Sequence, residues 1–596
     1  MKRSLSITLA FLILITSSFT PKSIEKEQTL SKVERLYLTC KVWGFLKYYH
    51  PKIGTGVYNW DDKLLGVLKN TSNITTYEQL NTYMYRWIYA IGPRKPCVSC
   101  KKRNPDPYFL KNFDLSWTQG KDFSEELRKT FKDIETNRFE GDHHYIGKGK
   151  TGQFEPKNEE PQYDLSWADE HQRLLPLFRF WNYVEYFYPY KYQTDQDWDE
   201  VLREMIATFL EVNSKLEFHQ AMLEMVVKLD DSQAGLVTPT LDKWPYYNYL
   251  PVRIEMIEGQ AVVTEIIDVE KARSEDLQLG DVITSINGQS VQNLHESQSK
   301  YIWGSNEAVK ERSIFYTLFM GMQESPEVTI QRAGLTNTKK LNLFHYSEIS
   351  YGKSEPKEKW SFLHDSIGYV NMGELRTADV EQMMSEMMDA SVIIIDIRNQ
   401  PKGTYKAIAK YLLPSKTSFA VFTKPDFSYP GKFIWDGERS CGEGNPDFFK
   451  GKVILLVDEN TQNHAELSCM CLQSAPNVVT IGSQTAGTNG PQSKLSIYGK
   501  YYSSFTGTGV FYYDEKEVQR VGIAPDIYID KTISSVQTGE DDVLLKAMEV
   551  AKEELALLRE NARLIEQARL DSLQMISIPM DSLAFDSIGL ERDNKD

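Results

Sequence analysis

The chain has 596 residues, 41% apolar, 25% charged and 12% aromatic, an ordinary composition for a soluble globular protein. That length exceeds a single hydrophobic core, and roughly one domain per 150 residues implies about four. The formal net charge of −15 argues against nucleic acid as a partner, because phosphate binding needs a basic face. The first element is Met1-Lys2-Arg3, the apolar run Leu5 to Thr16 and the small pair Ser17-Ser18 before Pro21. This reads as a secretory signal peptide over 1–20, too short for a comfortable membrane span. No cysteine near its end carries a lipid anchor, and no later stretch reaches transmembrane length. The mature chain is expected outside the cytoplasm, in a bacterial periplasm or beyond, with no membrane span after cleavage.

Two helical repeats follow, over 25–100 and 166–240. "RLYLTCKVWGFLKYYHP" at 35–51 matches "RLLPLFRFWNYVEYFYP" at 173–189. Trp43/Trp181, Pro51/Pro189, Trp60/Trp198, Asp61/Asp199 and Leu64/Leu202 all keep one offset of 138 residues. A constant offset across helix, turn and next helix implies two copies of one helical-hairpin unit. The aromatics recur at helical spacing and read as core packing. His50 stands out because its counterpart is Tyr188, though a histidine before a turn proline is more often structural. The stretch 101–165 is charged, with few periodic signals, and reads as an exposed connection. Cys97-Val-Ser-Cys100 reads as a disulfide or free thiols rather than half a zinc site. A four-cysteine site needs a second matching pair, and Cys469-Met-Cys471 has the wrong spacing.

The segment 247–346 changes texture. "LQLGDVITSINGQSV" (277–291) gives strand, Asn-Gly turn, strand. Its pattern L-x-x-G-D-x-I-x-x-I-N-G resembles a PDZ domain, a module that captures an extended peptide as an added strand; simple packing on neighbouring domains is the plainer alternative. From 356 to 535 strands alternate with helices: "SIGYVNMGEL" (366–375), a helix at 378–389, "VIIIDIRNQPKGT" (392–404), a helix at 404–412, "VDENTQNHAELSCM" (457–470), "VVTIGSQTAGTNGPQ" (478–492) and "RVGIAPDIYI" (520–529). Such alternation gives a layered sheet with its loops at one edge. A charged amphipathic helix and a loose tail complete 540–596. The fold class is therefore a multidomain α+β protein with a duplicated helical region, a PDZ-like β module, an α/β core and a C-terminal helix.

Signal peptide, helical region, PDZ-like module and α/β core in that order resemble the tail-specific, C-terminal processing serine peptidases (serine peptidase family 41). The similarity is to the secreted bacterial subgroup with a duplicated aromatic helical region. The resemblance rests on "IIIDIRNQP", "VDENTQNHAE", "IGSQTAGTNG" and "QRVGIAPDI" taken together. It implies a peptide or protein segment as partner, extended or C-terminal, and no metal or organic cofactor.

The same resemblance implies a serine nucleophile in a T-x-S-x-A-E segment at a helix start. Thr461, Ala465 and Glu466 match that segment, and the serine falls on Asn463. A carboxamide has no proton to lose near neutral pH and forms no ordinary acyl-enzyme. Members with a lysine base carry it after the G-x-T-x-G loop; Gly482, Thr485 and Gly487 match, and the next residue is Thr488. Members with a histidine base carry it in a D-x-H segment, which here is Asp231-Ser232-Gln233. A glutamine takes up no proton at neutral pH. Nucleophile and both usual bases are replaced together, which points to natural loss of catalysis. The backbone N–H groups of His464 and Gly403 remain candidate oxyanion donors, whereas Pro401 has none to give. The His464 side chain reads as an exposed loop histidine before a catalytic group. Asn463 is a favoured N-cap with Glu466 at N3 of a capping box, so the plain reading of this hinge is a capped helix. Ser468 lies more than one turn farther on and has no base. The alternatives are an active endopeptidase with an unusual catalytic set, recruiting His50 or His464, and a non-enzymatic envelope scaffold.

Overall fold

A computed structural model describes residues 29–101, 108–159, 166–238, 248–322, 325–352 and 357–576. The expected signal peptide lies outside these residues, as does the end of the tail beyond 576. No helix among the described residues is long and apolar enough to cross a membrane.

The internal repeat is a structural one. Helices Lys32–Tyr49, Trp60–Thr71 and Tyr77–Ile91 recur as Glu170–Phe187, Trp198–Glu211 and Lys215–Val227, their starts displaced by the same offset. All six begin on an oxygen-bearing cap: Ser31, Asn59 and Thr76, then Asp169, Asp197 and Ser214. Each such cap satisfies amides that the first turn leaves open. The recurring tryptophans explain the pattern's rigidity. The indole N–H of Trp43 donates to the Trp60 carbonyl and that of Trp60 back to the Trp43 carbonyl, each at 3.0 Å. Trp181 and Trp198 exchange the same two bonds, at 2.7 and 3.1 Å. Each pair buries two indoles and satisfies both polar tips, so packing and hydrogen bonding coincide.

The two copies are joined by crossed ion pairs. Lys41 and Arg179 occupy equivalent positions, as do Asp61 and Asp199. Lys41 of the first copy pairs with Asp199 of the second at 2.6 Å, and Arg179 of the second pairs with Asp61 of the first. Around Arg179 the cluster is largely buried, with Arg179, Lys47 and Glu159 enclosed and only Asp61 partly exposed: Lys47 reaches Glu159 at 2.7 Å, and Arg179 donates to the Ile497 carbonyl at 3.1 Å. Burial alone would raise Asp61, but Arg179 and Lys47 hold its carboxyl below the usual range.

Residues 108–159, the described part of the stretch expected as an exposed connection over 101–165, are folded onto the core. They carry a helix at Glu125–Thr136, whose Leu127, Phe131 and Ile134 are fully buried, and short strands at Tyr108–Phe109, Ile146–Lys148 and Phe154–Pro156. Three apolar residues spaced by three and four supply one buried stripe among charges, a signal diluted in the overall composition. Cys97 and Cys100 within the preceding loop are joined as a disulfide.

The β module is an antiparallel sheet in the order 335–340, 327–332, 282–286, 260–266, 252–257. Asn287 and Gly288 both adopt positive φ (49° and 77°) and join two paired strands, the geometry of a two-residue hairpin turn. Downstream, the main sheet runs 360–364, 367–371, 392–396, 452–457, 478–482, 527–528, parallel except at its first strand. Period-two alternation divides it cleanly. Ile393, Ile395, Val453 and Leu455 face helices Val380–Met387, Tyr405–Leu412 and His464–Leu472, while Val392, Ile394, Ile454 and Leu456 face helix Asp542–Ile576. The result is a mixed α+β protein with helices on both faces of a buried sheet.

Because the Arg179 cluster is largely buried, removing one member strands the others in a dry site. Arg179→Met should lower the urea unfolding free energy by about 3–5 kcal/mol; a change below about 1 kcal/mol would show that the crossed pairs do not join the repeats.

Candidate functional site

At its C-terminal end the helical region meets the core at a buried carboxylate. Asp231 has no exposed surface. It accepts hydrogen bonds from the Gln233 N–H (3.0 Å), the Thr488 hydroxyl (2.9 Å), the Thr506 N–H (2.6 Å), the Thr506 hydroxyl (2.9 Å) and the Gln519 amide (3.3 Å). A buried carboxylate satisfied this fully is fixed in place. Just beyond it, strand Gly235–Val237 pairs antiparallel with Tyr501–Thr506, placing Gly235 opposite Ser504. Gln233 is thereby held between two anchored points, 7% exposed.

The opposite wall is the junction between strand Lys452–Val457 and helix His464–Leu472. Asn463 sits there at φ 55°, ψ −108°. This is neither the extended backbone of an ordinary N-cap nor the relaxed left-handed region, so the turn is strained. Its side chain bridges the two segments: Nδ2 donates to Gln233 Oε1 at 3.2 Å, and Oδ1 accepts from the Gly490 N–H at 3.4 Å. The Gln233 Nε2 donates in turn to the Gly490 carbonyl (3.0 Å) and the Thr506 hydroxyl (2.9 Å). Thr488 completes the group, its carbonyl accepting from the Asn463 N–H at 2.9 Å and its hydroxyl lying 3.5 Å from Gln233 Nε2. Asn463, Gln233 and Thr488, far apart in sequence, therefore form one hydrogen-bonded set.

Glu466 pins the turn from below. It is fully buried and accepts from the Asn463 N–H (3.3 Å), the Gly487 N–H (2.8 Å), the Thr488 N–H (3.0 Å) and the Thr485 hydroxyl. Only part of its role is the capping-box reciprocal bond; three of its donors come from the 485–488 loop. Burial pushes its carboxyl up to about 7, against the pull of those donors.

His464 is half-buried, with its ring edge-on to Tyr405 at 5.4 Å between centroids, and burial holds its imidazole below the ordinary value. It is thus not the exposed loop side chain expected from sequence, since Tyr405 packs over it. Its N–H is the first of the helix, where no intrahelical acceptor exists. Gly403 lies in the adjoining loop at φ 81°, and a Cβ added there would come within 3.9 Å of His464 Nε2. The two candidate oxyanion donors thus belong to touching loops. Ser468 is buried with its hydroxyl committed to the His464 carbonyl at 2.7 Å. His50 is fully buried in the helical region, and burial lowers its imidazole to about 3.

Several groups had no sequence signal. Thr506 closes the Asp231 and Gln233 network from a strand with no motif. Arg312, from the β module, donates to the Gln462 side chain at 3.1 Å and so touches the residue before Asn463. A cleft of about 420 Å³ opens beside it between module and core, lined by Glu255, Glu311, Arg312, Glu459, Ser483 and Lys531 among others. Among the described residues, Cys97, Cys100 and Glu140 are the grouping close enough to hold a metal ion, and their two sulfurs are already bonded to each other.

The raised Glu466 carboxyl has a definite sign. Between about 4.5 and 7 the folded chain holds a proton there that the unfolded chain has released, so this group favours folding most below that window and least above it. Carboxyl-carbon NMR should therefore show one glutamate titrating near 7, absent in Glu466→Gln; a titration in the usual glutamate range would contradict this.

Residues 366–529 match the family described as Peptidase family S41. A curated relative, the nisin-resistance protein of Lactococcus lactis subsp. lactis, is 26% identical over 152 residues, which is 24% of this chain and 48% of that protein. The chain thus spans about half the length of that relative. Among solved structures, mature CPAF complexed with lactacystin superposes with a TM-score of 0.50 at 11% identity, covering 65% of this chain and 99% of that one. The photosystem II D1 C-terminal processing protease gives a TM-score of 0.37 at 17% identity, covering 60% and 93%. The fold is shared with the first of these, and the segment 366–529 is the part of the chain that matches peptidase family S41.

Proposed function

We propose that this serine-type S41 peptidase homologue is an exported protein in which the peptidase site is assembled but turnover is lost. On this reading it retains a peptide-binding cleft between a PDZ-like β module and the α/β core. The observation that carries the proposal is the Asn463–Gln233 hydrogen bond, 3.2 Å between two carboxamides at a strained strand-to-helix turn. In an active serine peptidase a hydroxyl at that turn hands its proton to a neighbouring base. Here neither partner holds a transferable proton near neutral pH, and both are locked by further hydrogen bonds. The Thr488 hydroxyl beside them is bonded to Asp231 and Thr506, and a threonine hydroxyl is no base at neutral pH.

What persists is architecture. The strained turn, the His464 N–H and the neighbouring Gly403 loop are the elements that stabilise an oxyanion in hydrolases built on such a turn. An edge of the β module offers backbone groups to an extended segment, and Arg312 in the wall of the neighbouring cleft bonds to Gln462, the residue before Asn463.

The restoring substitutions test the reading. Asn463→Ser alone should leave hydrolysis of casein near background, because no base stands beside the new hydroxyl. Asn463→Ser with Gln233→His should exceed the single variant by roughly 10²-fold or more, the usual contribution of a positioned base. Full activity from the single change would show that an unrecognised base is present. Calorimetric titration with extended and C-terminal peptides should detect binding to the unaltered chain; no binding to any would favour a scaffold without a peptide groove.

A further inference from the structure

The helix that begins at the candidate site ends beside a second thiol. Cys471 lies in the last turn of His464–Leu472, and Cys441 is the last residue of strand Phe433–Cys441. The Cys441 Sγ donates to the Cys471 carbonyl at 3.6 Å, which sets the two cysteines side by side. Cys471 is fully buried and Cys441 is 5% exposed, in the layer shared by helices Tyr405–Leu412 and His464–Leu472. Cys469 is also on this helix, but two residues are about 200° around it, so its sulfur points away. It feels the carboxylates of Glu466 and Asp526 instead.

We propose that Cys441 and Cys471 are a disulfide-forming pair, a modification site that ties the C-terminal turn of the site helix to the neighbouring antiparallel sheet. Both are free thiols in this structure, whereas Cys97 and Cys100 are joined. The hydrogen bond from the Cys471 thiol, with help from Lys406 and Ser474, holds Cys441 below the ordinary thiol value despite its burial. Cys441, 5% exposed, is the sulfur an oxidant reaches first and so the attacking one, and the fully buried Cys471 is the resolving one. The oxidant is an exchangeable disulfide, small or protein-borne. The Cys441 thiolate displaces one thiolate from it to form a mixed disulfide. The Cys471 sulfur, losing its proton, then displaces the second thiolate. Two protein thiols lose two protons and two electrons, one S–S bond forms, and the oxidant leaves as two thiols.

The closure joins the last turn of the site helix to a strand register. Strand Phe433–Cys441 is paired with Thr417–Pro425, and Cys441 lies opposite Thr417 at the end of that ladder. The same helix presents His464 at its other end, against Tyr405. Oxidation would fix the helix at its C-terminus as Glu466 fixes it at its start.

The test is peptide mapping of the full chain. The folded protein is equilibrated with oxidised glutathione, unfolded with excess alkylating reagent, and digested without reduction. The expected product is one peptide pair linked through Cys441 and Cys471, two hydrogens lighter than its parts, with Cys40 and Cys469 alkylated. Unreduced protein should also unfold several degrees above a Cys471→Ala variant, with the gap closing in reductant. Alkylation of both thiols, a Cys441–glutathione adduct with no link, or a link through Cys469 would each overturn the proposal.

Discussion

The site depends on a single buried carboxylate. Asp231 collects one donor from its own turn and four from Thr488, Thr506 and Gln519 of the core, tying the end of the helical region to the 485–506 segment. Its placement fixes Gln233, and Gln233 meets Asn463. A shift of this anchor would move one wall of the cleft relative to the other, because strand Gly235–Val237 follows within four residues. The crossed ion pairs and reciprocal tryptophans of the two repeats matter to the site for the same reason. They tie the helices of the two repeats to one another, next to the end that Asp231 anchors.

The second wall shows how a site can keep its shape without its chemistry. Glu466 holds the start of helix His464–Leu472 through backbone amides and a hydroxyl, none of which requires a serine at 463. The positive φ at Asn463 is tolerated better by asparagine than by most side chains, yet its ψ is that of neither a cap nor a left-handed turn. A residue serving only as a cap would relax to extended backbone. The turn instead holds a strained form, of the kind that projects a side chain out of a strand-to-helix junction. Its carboxamide is spent on Gln233 and Gly490.

Much of this was legible in the sequence, for reasons that differ by element. The repeat was visible because tryptophans, prolines and cap residues recur at one offset, and the parallel strands because fully buried runs such as 392–396 are continuous and β-branched. The Asn-Gly turn gave the hairpin because two successive positive φ angles demand those residues. The stretch 101–165 misled because its buried stripe, Leu127, Phe131 and Ile134, is short and flanked by charge. The juxtaposition of Gln233, Thr488 and Asn463 followed from motif positions, but the strain at Asn463, the Thr506 contribution and the reach of Arg312 onto Gln462 are tertiary facts. No local pattern encodes them, since each depends on how separate segments pack.

The central claim is that a peptidase-shaped site stands here without the groups that turn it over. The most direct measurement is labelling of the purified, unaltered chain with a fluorophosphonate probe, read by intact mass alongside casein hydrolysis. The account predicts no adduct and no inhibitor-sensitive hydrolysis above background. A stoichiometric adduct accompanied by turnover that the probe abolishes would contradict it.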